Sequence, residues 1–310
     1  MTVTATGTQP PSGVQYDIGH GRHQVVVTEV GATLRSYTVG GRAVLDGFEV
    51  DDVCDSGRGQ VLAPWPNRLG DGTYSYEGRD GRAALDEPAR HNAIHGLVRW
   101  LPWQVLSRAQ NVLNLGCTLP PQPGYRWRLS LSIEYRLGRD GLTVITTATN
   151  LDATAAPFGI GFHPYLTLST PIDSTSLAIP ARRRLVTDER GLPTSTSAVS
   201  GSELDFNAPR WIGDTVLDTA FTDLRRDTDG MARVELEDTA GARGVTVWMD
   251  EHFGYVMVFT GDTLEPTTRR RASIAVEPMS CPPDALRSGV DLVRLEPGAS
   301  WSGRWGINPR

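Results

Sequence analysis

The chain has 310 residues, 39% of them hydrophobic, with 30 Lys and Arg set against 36 Asp and Glu for a formal net charge of −6. That is globular composition without the clustered cationic excess that binding a phosphate backbone needs, so no nucleic-acid partner is expected. Cys54, Cys117 and Cys281 are odd in number, widely spaced and form no CxxC pair, which excludes a disulfide framework or a cysteine zinc site and fits reduced thiols in a cytoplasm.

Residues 1–14 are rich in Thr, Pro, Gly and Ser and are expected to be poorly ordered. They carry neither a basic stretch nor an apolar core of the kind a secretory leader has. No apolar run approaches the ~20 residues a membrane-spanning helix requires, so a soluble, intracellular protein with no membrane partner is expected. From residue 15 onward apolar residues recur with period two. Strands are expected at HQVVVTEV (23–30), ATLRSYTV (32–39) and VLNLGCTL (112–119). The clearest is RWRLSLSIEYRL (126–137), where Trp127, Leu129, Leu131, Ile133, Tyr135 and Leu137 fall on one face and Arg126, Arg128, Ser130, Ser132, Glu134 and Arg136 on the other. Gly138–Gly141 then turns the chain into LTVITTATN (142–150), a hairpin. Further strands follow at 232–238, 245–250, 255–261, 273–278 and 300–307, separated by turn pairs such as Asp229-Gly230 and Gly261-Asp262. Only Asp284–Arg287, after two prolines, reads as a short helix. With 33 Gly and 21 Pro and no fixed repeat, the pattern predicts an all-β fold, a large sandwich of mostly antiparallel strands forming a single domain over 15–310.

Polar clusters interrupt this alternation. APWPNRLGDG (63–72) holds Asn67 and Arg68, and HNAIHGLVRW (91–100) holds His91, His95 and Arg99. GIGFHPYL (159–166) centres on His163, VLDTAFTDL (216–224) carries Asp218 and Asp223, and in AVEPMSCPPDAL (275–286) Glu277 precedes Pro278. Each has an ordinary structural reading. Arg68 and Arg99 could be surface arginines, His163 a satisfied core histidine, Glu277 a strand cap and Asp218 a strand end. Trp65, Trp100, Trp103 and Trp127 read as core, and Arg269-Arg270-Arg271 as a solvated loop. Together, however, two histidines, an arginine and two carboxylates on separate strand ends of a sandwich can converge on one concave face. The proline after His163 and after Glu277 biases both toward extended backbone. Ligand spacings for a metal, a GxSxG elbow and Gly-rich phosphate loops are all missing, so no metal and no cofactor are expected.

In order and spacing, PWPNRLGDGTYSYEG, HNAIHGL, GFHPYL, LDTAF and EPMSCPPDAL resemble the aldose 1-epimerase (galactose mutarotase-like) family over roughly residues 15–308. The wording PWPNR, HPYL and EPMSCPPDAL is similar to a bacterial branch containing sulfoquinovose mutarotases. The resemblance implies a β-supersandwich and interconversion of the α and β anomers of a free aldose, with Glu277 as general base and His163 as general acid. It also implies that Arg68, His95 and Asp218 bind the sugar, with Asn67 beside them. The chain departs from galactose-specific members at TGDTLEP (260–266), where their substrate-binding Gln is not evident, which puts a galactose preference in doubt. Two other functions stay open on the residues alone: a non-catalytic carbohydrate-binding or sugar-sensing protein on the same fold, and a mutarotase for a phosphorylated or sulfonated sugar in which Arg99 could meet the anion. Either a monomer or a homodimer is compatible with the sequence.

Overall fold

The structure is a computed structural model that describes residues 9–238, 241 and 243–310. Two large antiparallel sheets dominate it. The first has nine strands in the order Gln104–Ala109, Val112–Leu119, Leu129–Leu137, Leu142–Asn150, Ser300–Pro309, Gly244–Met249, Ala232–Asp238, Thr175–Ala178 and Arg210–Trp211. Its central hairpin shows why period two makes a sheet. Leu129, Leu131, Ile133, Tyr135 and Leu137 are all buried, and their partners run in continuous register from Leu129 opposite Asn150 to Leu137 opposite Leu142. Alternate side chains of a strand point to opposite faces, so one apolar face seals against the core while the other stays wet.

The second sheet runs Pro193–Ala198, Ala181–Thr187, Asp218–Leu224, Tyr255–Phe259, Ile274–Met279, Gly161–Phe162 and Val61–Leu62, with Tyr165–Leu166 also pairing onto Ile274–Met279. Its inner face, including Val256, Val258, Ile274 and Val276, belongs to the main core. Phe162 from this sheet meets Trp305 from the first at a ring-centroid distance of 5.0 Å, so the two sheets pack face to face. A four-stranded sheet, Gln15–His20, His23–Thr28, Leu34–Val39 and Arg42–Ala43, joins them. It is tied down by Tyr135, whose hydroxyl donates to the Ala32 carbonyl at 2.6 Å. The fold is thus the nearly all-β, antiparallel sandwich expected.

Three details differ from the sequence reading. Of the segment expected to be poorly ordered, residues 1–8 lie outside the described residues, but 10–14 are held. Gly13 N–H donates to the Pro10 carbonyl, Val30 N–H to Ser12 and Glu29 N–H to Val14, and Ser12 is buried; backbone pairing to the segment that follows the His23–Thr28 strand of the four-stranded sheet anchors what composition alone would leave loose. Arg271 is not solvated. Its guanidinium pairs with Asp173 and Asp262 and donates to the Gly213 and Thr215 carbonyls, because the loop folds back over two neighbouring turns. Trp65, Trp103 and Trp127 are core, but Trp100 is half exposed. The expected helix is one turn, Ala285–Ser288, led by Asp284.

Candidate active site

The period of the second sheet decides which side chains leave the core. Val276 points inward, so Glu277 points to the opposite face, and Met257 lies directly across from it in register. Phe259, two residues on from Met257, sits opposite Asp218 on the next strand. These four make the floor of a cleft of about 670 Å³. His163, just beyond the Gly161–Phe162 strand, is fixed by backbone bonds at both ends: its N–H donates to Gln60 O at 3.2 Å and its carbonyl accepts from Gly59 at 2.9 Å. One wall is a short ribbon in which Arg68–Gly70 pairs with Asn92–Ile94. Asn67 (φ 56°) and His95 (φ 64°) stand at its open end in left-handed conformation, and His95 N–H donates to Asn67 O at 2.9 Å. The Asp284 turn clamps the ribbon from behind, its N–H on the Arg68 carbonyl and its carboxylate on Gly70 N–H.

Glu277, His163, Arg68, His95, Asp218 and Asn67 all line this one cleft. His163 Nε2 is 3.3 Å from Glu277 Oε1, and Glu277 Oε2 has no hydrogen-bond partner among the described residues. Both side chains are almost wholly buried, at 6% and 2% exposure. Burial, with the nearby Asp218 charge, pushes the Glu277 carboxyl well above its ordinary range despite Arg68. Burial likewise brings the His163 imidazole down to about 3, with Arg58 and Arg99 adding in the same direction. Both shifts favour the neutral pair. His95 meets His163 edge to face at 5.3 Å and is also held well below its usual value by burial and by its cationic neighbours. Asn67 turns its side-chain oxygen onto the Arg68 N–H at 2.9 Å, so it braces the arginine's backbone.

Arg68 grips Glu87 through Nε and Nη2 at 3.0–3.2 Å and comes to 3.9 Å from Asp218. Burial opposes this cation, yet the Glu87 hydrogen bonds and the Asp218, Glu87 and Glu277 charges leave it more firmly protonated than usual. Glu87 also accepts from the Asn92 amide at 2.8 Å. It was not singled out in the sequence, where LDEPAR reads as a polar turn; the only cue is its place between two clusters that do carry site residues. Arg90 and Asp86 are further lining residues of this kind. Arg99, read as a surface side chain or an anion contact, is 14% exposed and faces the cleft, where it pairs with Asp86. His91 and Asp223 do not reach the cleft. They are exposed, His91 against Asp71 and Asp223 against Arg182. A buried carboxyl and a buried imidazole in contact, ringed by hydrogen-bonding groups and two apolar side chains, can move protons on a small polar ligand held between them.

The profile of the aldose 1-epimerase family matches residues 14–308. The chain belongs to the aldose 1-epimerase family. It is 32% identical over 289 residues to the uncharacterized protein YihR of Escherichia coli (strain K12), an alignment covering 93% of this chain and 90% of YihR. Its fold is that of a GalM/aldose epimerase homologue from C. elegans (TM-score 0.85, 15% identity, 96% of this chain and 98% of that one). It is equally that of a galactose 1-epimerase from Lactobacillus acidophilus (TM-score 0.80, 17% identity, 96% and 94%). At those identities the structural likeness carries the galactose mutarotase-like fold, and the family assignment rests on the sequence.

Proposed function

We propose that this family member is a working mutarotase that interconverts the α and β anomers of a free aldose, with Glu277 as general base and His163 as general acid. The observation that carries the reading is the 3.3 Å contact between His163 Nε2 and Glu277 Oε1 at the bottom of the cleft, with the other carboxyl oxygen unpaired among the described residues. Opening a cyclic hemiacetal removes the proton from the anomeric hydroxyl and delivers one to the ring oxygen as the C1–O5 bond breaks. Glu277 takes the first proton and His163 gives the second. The aldehyde rotates about C1–C2, and reclosure runs the same transfers backward onto the other face. Nothing is oxidised and no proton is gained or lost overall.

The burial of the pair suits this sequence. Its ionised form, carboxylate and imidazolium, and its neutral form hold the same number of protons. Ring opening converts the first into the second, which is the form a buried site favours. Arg68, His95 and Asp218 surround the pair and offer donors and an acceptor to ring oxygen and hydroxyls, and Met257 and Phe259 offer apolar surface to the sugar's C–H face.

Because Arg68, Arg90 and Arg99 already face Glu87, Asp218 and Asp86, the cleft as built suits a neutral sugar. A phosphorylated or sulfonated one would have to take a guanidinium from its carboxylate. Polarimetry on freshly dissolved α-anomers, with glucose, galactose, a hexose 6-phosphate and sulfoquinovose compared, tests both parts. Glu277→Gln and His163→Asn should each lower kcat by roughly 10²–10⁴-fold, the usual worth of one general acid or base. Tight calorimetric binding of a sugar with no acceleration of mutarotation for any aldose would instead make this a binding protein. Faster turnover of an anionic sugar would overturn the neutral-substrate reading alone.

A further inference from the structure

His163 has to present Nε2 to Glu277, yet among the described residues no side-chain hydrogen bond from another residue orients its ring; an aromatic ring lies flat on it instead. Tyr165 stacks on the imidazole with centroids 5.0 Å apart and planes within 16°. Arg58 lies over the Tyr165 ring, its Cζ 4.4 Å from the centroid. Arg58 is 1% exposed, and two carboxylates hold it from behind: Nε donates to Asp55 Oδ1 at 3.0 Å and Nη1 to Asp46 Oδ2 at 2.8 Å. Asp46 is steadied in turn by the Ser273 hydroxyl at 2.7 Å, one residue before the strand that carries Glu277. The Tyr165 hydroxyl donates to Ser56 O at 3.2 Å, closing the stack onto the loop between Asp55 and Arg58.

We propose that Arg58 and Tyr165 are positioning residues: a guanidinium–phenol–imidazole stack, anchored by Asp46 and Asp55, holds the His163 ring edge against Glu277. The inference rests on the acid/base reading of that pair. A planar guanidinium on an aromatic face is favourable and, unlike a lysine ammonium, fixes the orientation of the ring beneath it. Such a stack limits the ring's tilt without spending a ring nitrogen on a hydrogen bond, which leaves His163 free for proton transfer. It also brings a buried cation close behind the imidazole. The charged or titratable groups facing His163 are Glu277, His95, Tyr165, Arg58, Arg99 and, across the loop, Asp55; Arg58 and Arg99 both disfavour its protonation.

Four variants separate the parts: Tyr165→Leu removes the ring, Tyr165→Phe keeps it, Arg58→Met removes plane and charge, and Arg58→Lys keeps charge alone. Tyr165→Leu should lower kcat by roughly 10–10²-fold, the cost of misplacing a catalytic group by about an ångström, with KM within about twofold. Tyr165→Phe should recover most of that loss. Arg58→Met should raise the midpoint of the His163 imidazole titration, followed by NMR and assigned by loss of its resonances in His163→Asn, whereas Arg58→Lys should keep the midpoint and still lose kcat. Parental kcat and an unmoved titration in folded Tyr165→Leu and Arg58→Met would overturn the proposal. Should Arg58→Met not fold, Tyr165→Leu against Tyr165→Phe decides the matter by the same two readouts. If no aldose is turned over at all, the titration still reads the stack, so its failure and that of the mutarotase reading remain distinct.

Discussion

Replacing Gly57 by alanine perturbs where His163 sits while leaving its chemistry alone. Gly57 has φ +73°, a left-handed conformation, and a Cβ built on it would lie 2.8 Å from His163 Cδ2 and 3.3 Å from Nε2. Ordinary contact begins at 3.4 Å, so ring and loop must separate by about 0.6 Å, an overpacking of the sort that shifts side chains off their preferred positions. The ring is already stacked on Tyr165, which has Arg58 behind it, so tilting is the cheaper response, and the 3.3 Å contact to Glu277 has little slack before the two groups are too far apart to work as a pair. A shift of this size should lower kcat by roughly 10–10²-fold. Arg68, His95 and Asp218 are not touched, so KM should stay within about twofold. The left-handed alanine costs about 1–2 kcal/mol and the overpacking about 1–3 kcal/mol more, to be read from a denaturant titration. Polarimetry on the best aldose gives kcat and KM. A folded Gly57→Ala protein, destabilised as expected but with parental kcat, would refute the claim that His163 placement limits the reaction.

Other expectations follow from the same geometry. Arg68→Ala should raise KM with a smaller change in kcat, and Glu87→Gln, which leaves Arg68 without its paired carboxylate, should do so more weakly; a fall in kcat at constant KM in both would contradict a binding role. Glu277→Gln removes a carboxyl whose folded-state pKa lies well above its ordinary 4.5. The parent's stability from this group is therefore full below about pH 4.5 and is lost as pH rises toward the folded value, so the Tm advantage of the variant should grow from pH 4.5 to pH 8. A Tm difference that does not vary with pH would sink that assignment. Arg271→Ala breaks charge-assisted bonds to Asp173 and Asp262 and should cost about 2–3 kcal/mol in denaturant unfolding. The adjacent, more exposed Arg270→Ala should cost under about 1 kcal/mol.

The architecture was legible from residues 15 to 308 because strand formation here follows local periodicity. Leu129 to Leu137 alternate in sequence and in burial alike, and Gly138–Gly141 turns where a glycine pair allows it. That Glu277 and His163 flank one hollow was reached only through motif likeness. Taken singly, each looks like a strand cap or a core histidine, and no local rule brings residues 114 positions apart to within 3.3 Å. Only sheet register does so: Gly161 pairs with Met279 and Tyr165 with Ala275, which sets His163, between them, beside Glu277. The same reason hid Glu87, Arg58, Gly57 and Tyr165. Their importance lies in what they touch across the fold, and the segments LDEPAR and DSGRGQ read locally as polar turns. Arg271 reads as a solvated loop residue, and Arg99 stays between a surface residue and an anion contact, because charge in a sequence says nothing of the carboxylates that fold over it. Sequence alone determined the alternation, the turns and the family, since those are local or cumulative along the chain. Tertiary structure alone decided which polar groups lose their water together, and that desolvation makes a carboxyl and an imidazole into a proton-transfer pair.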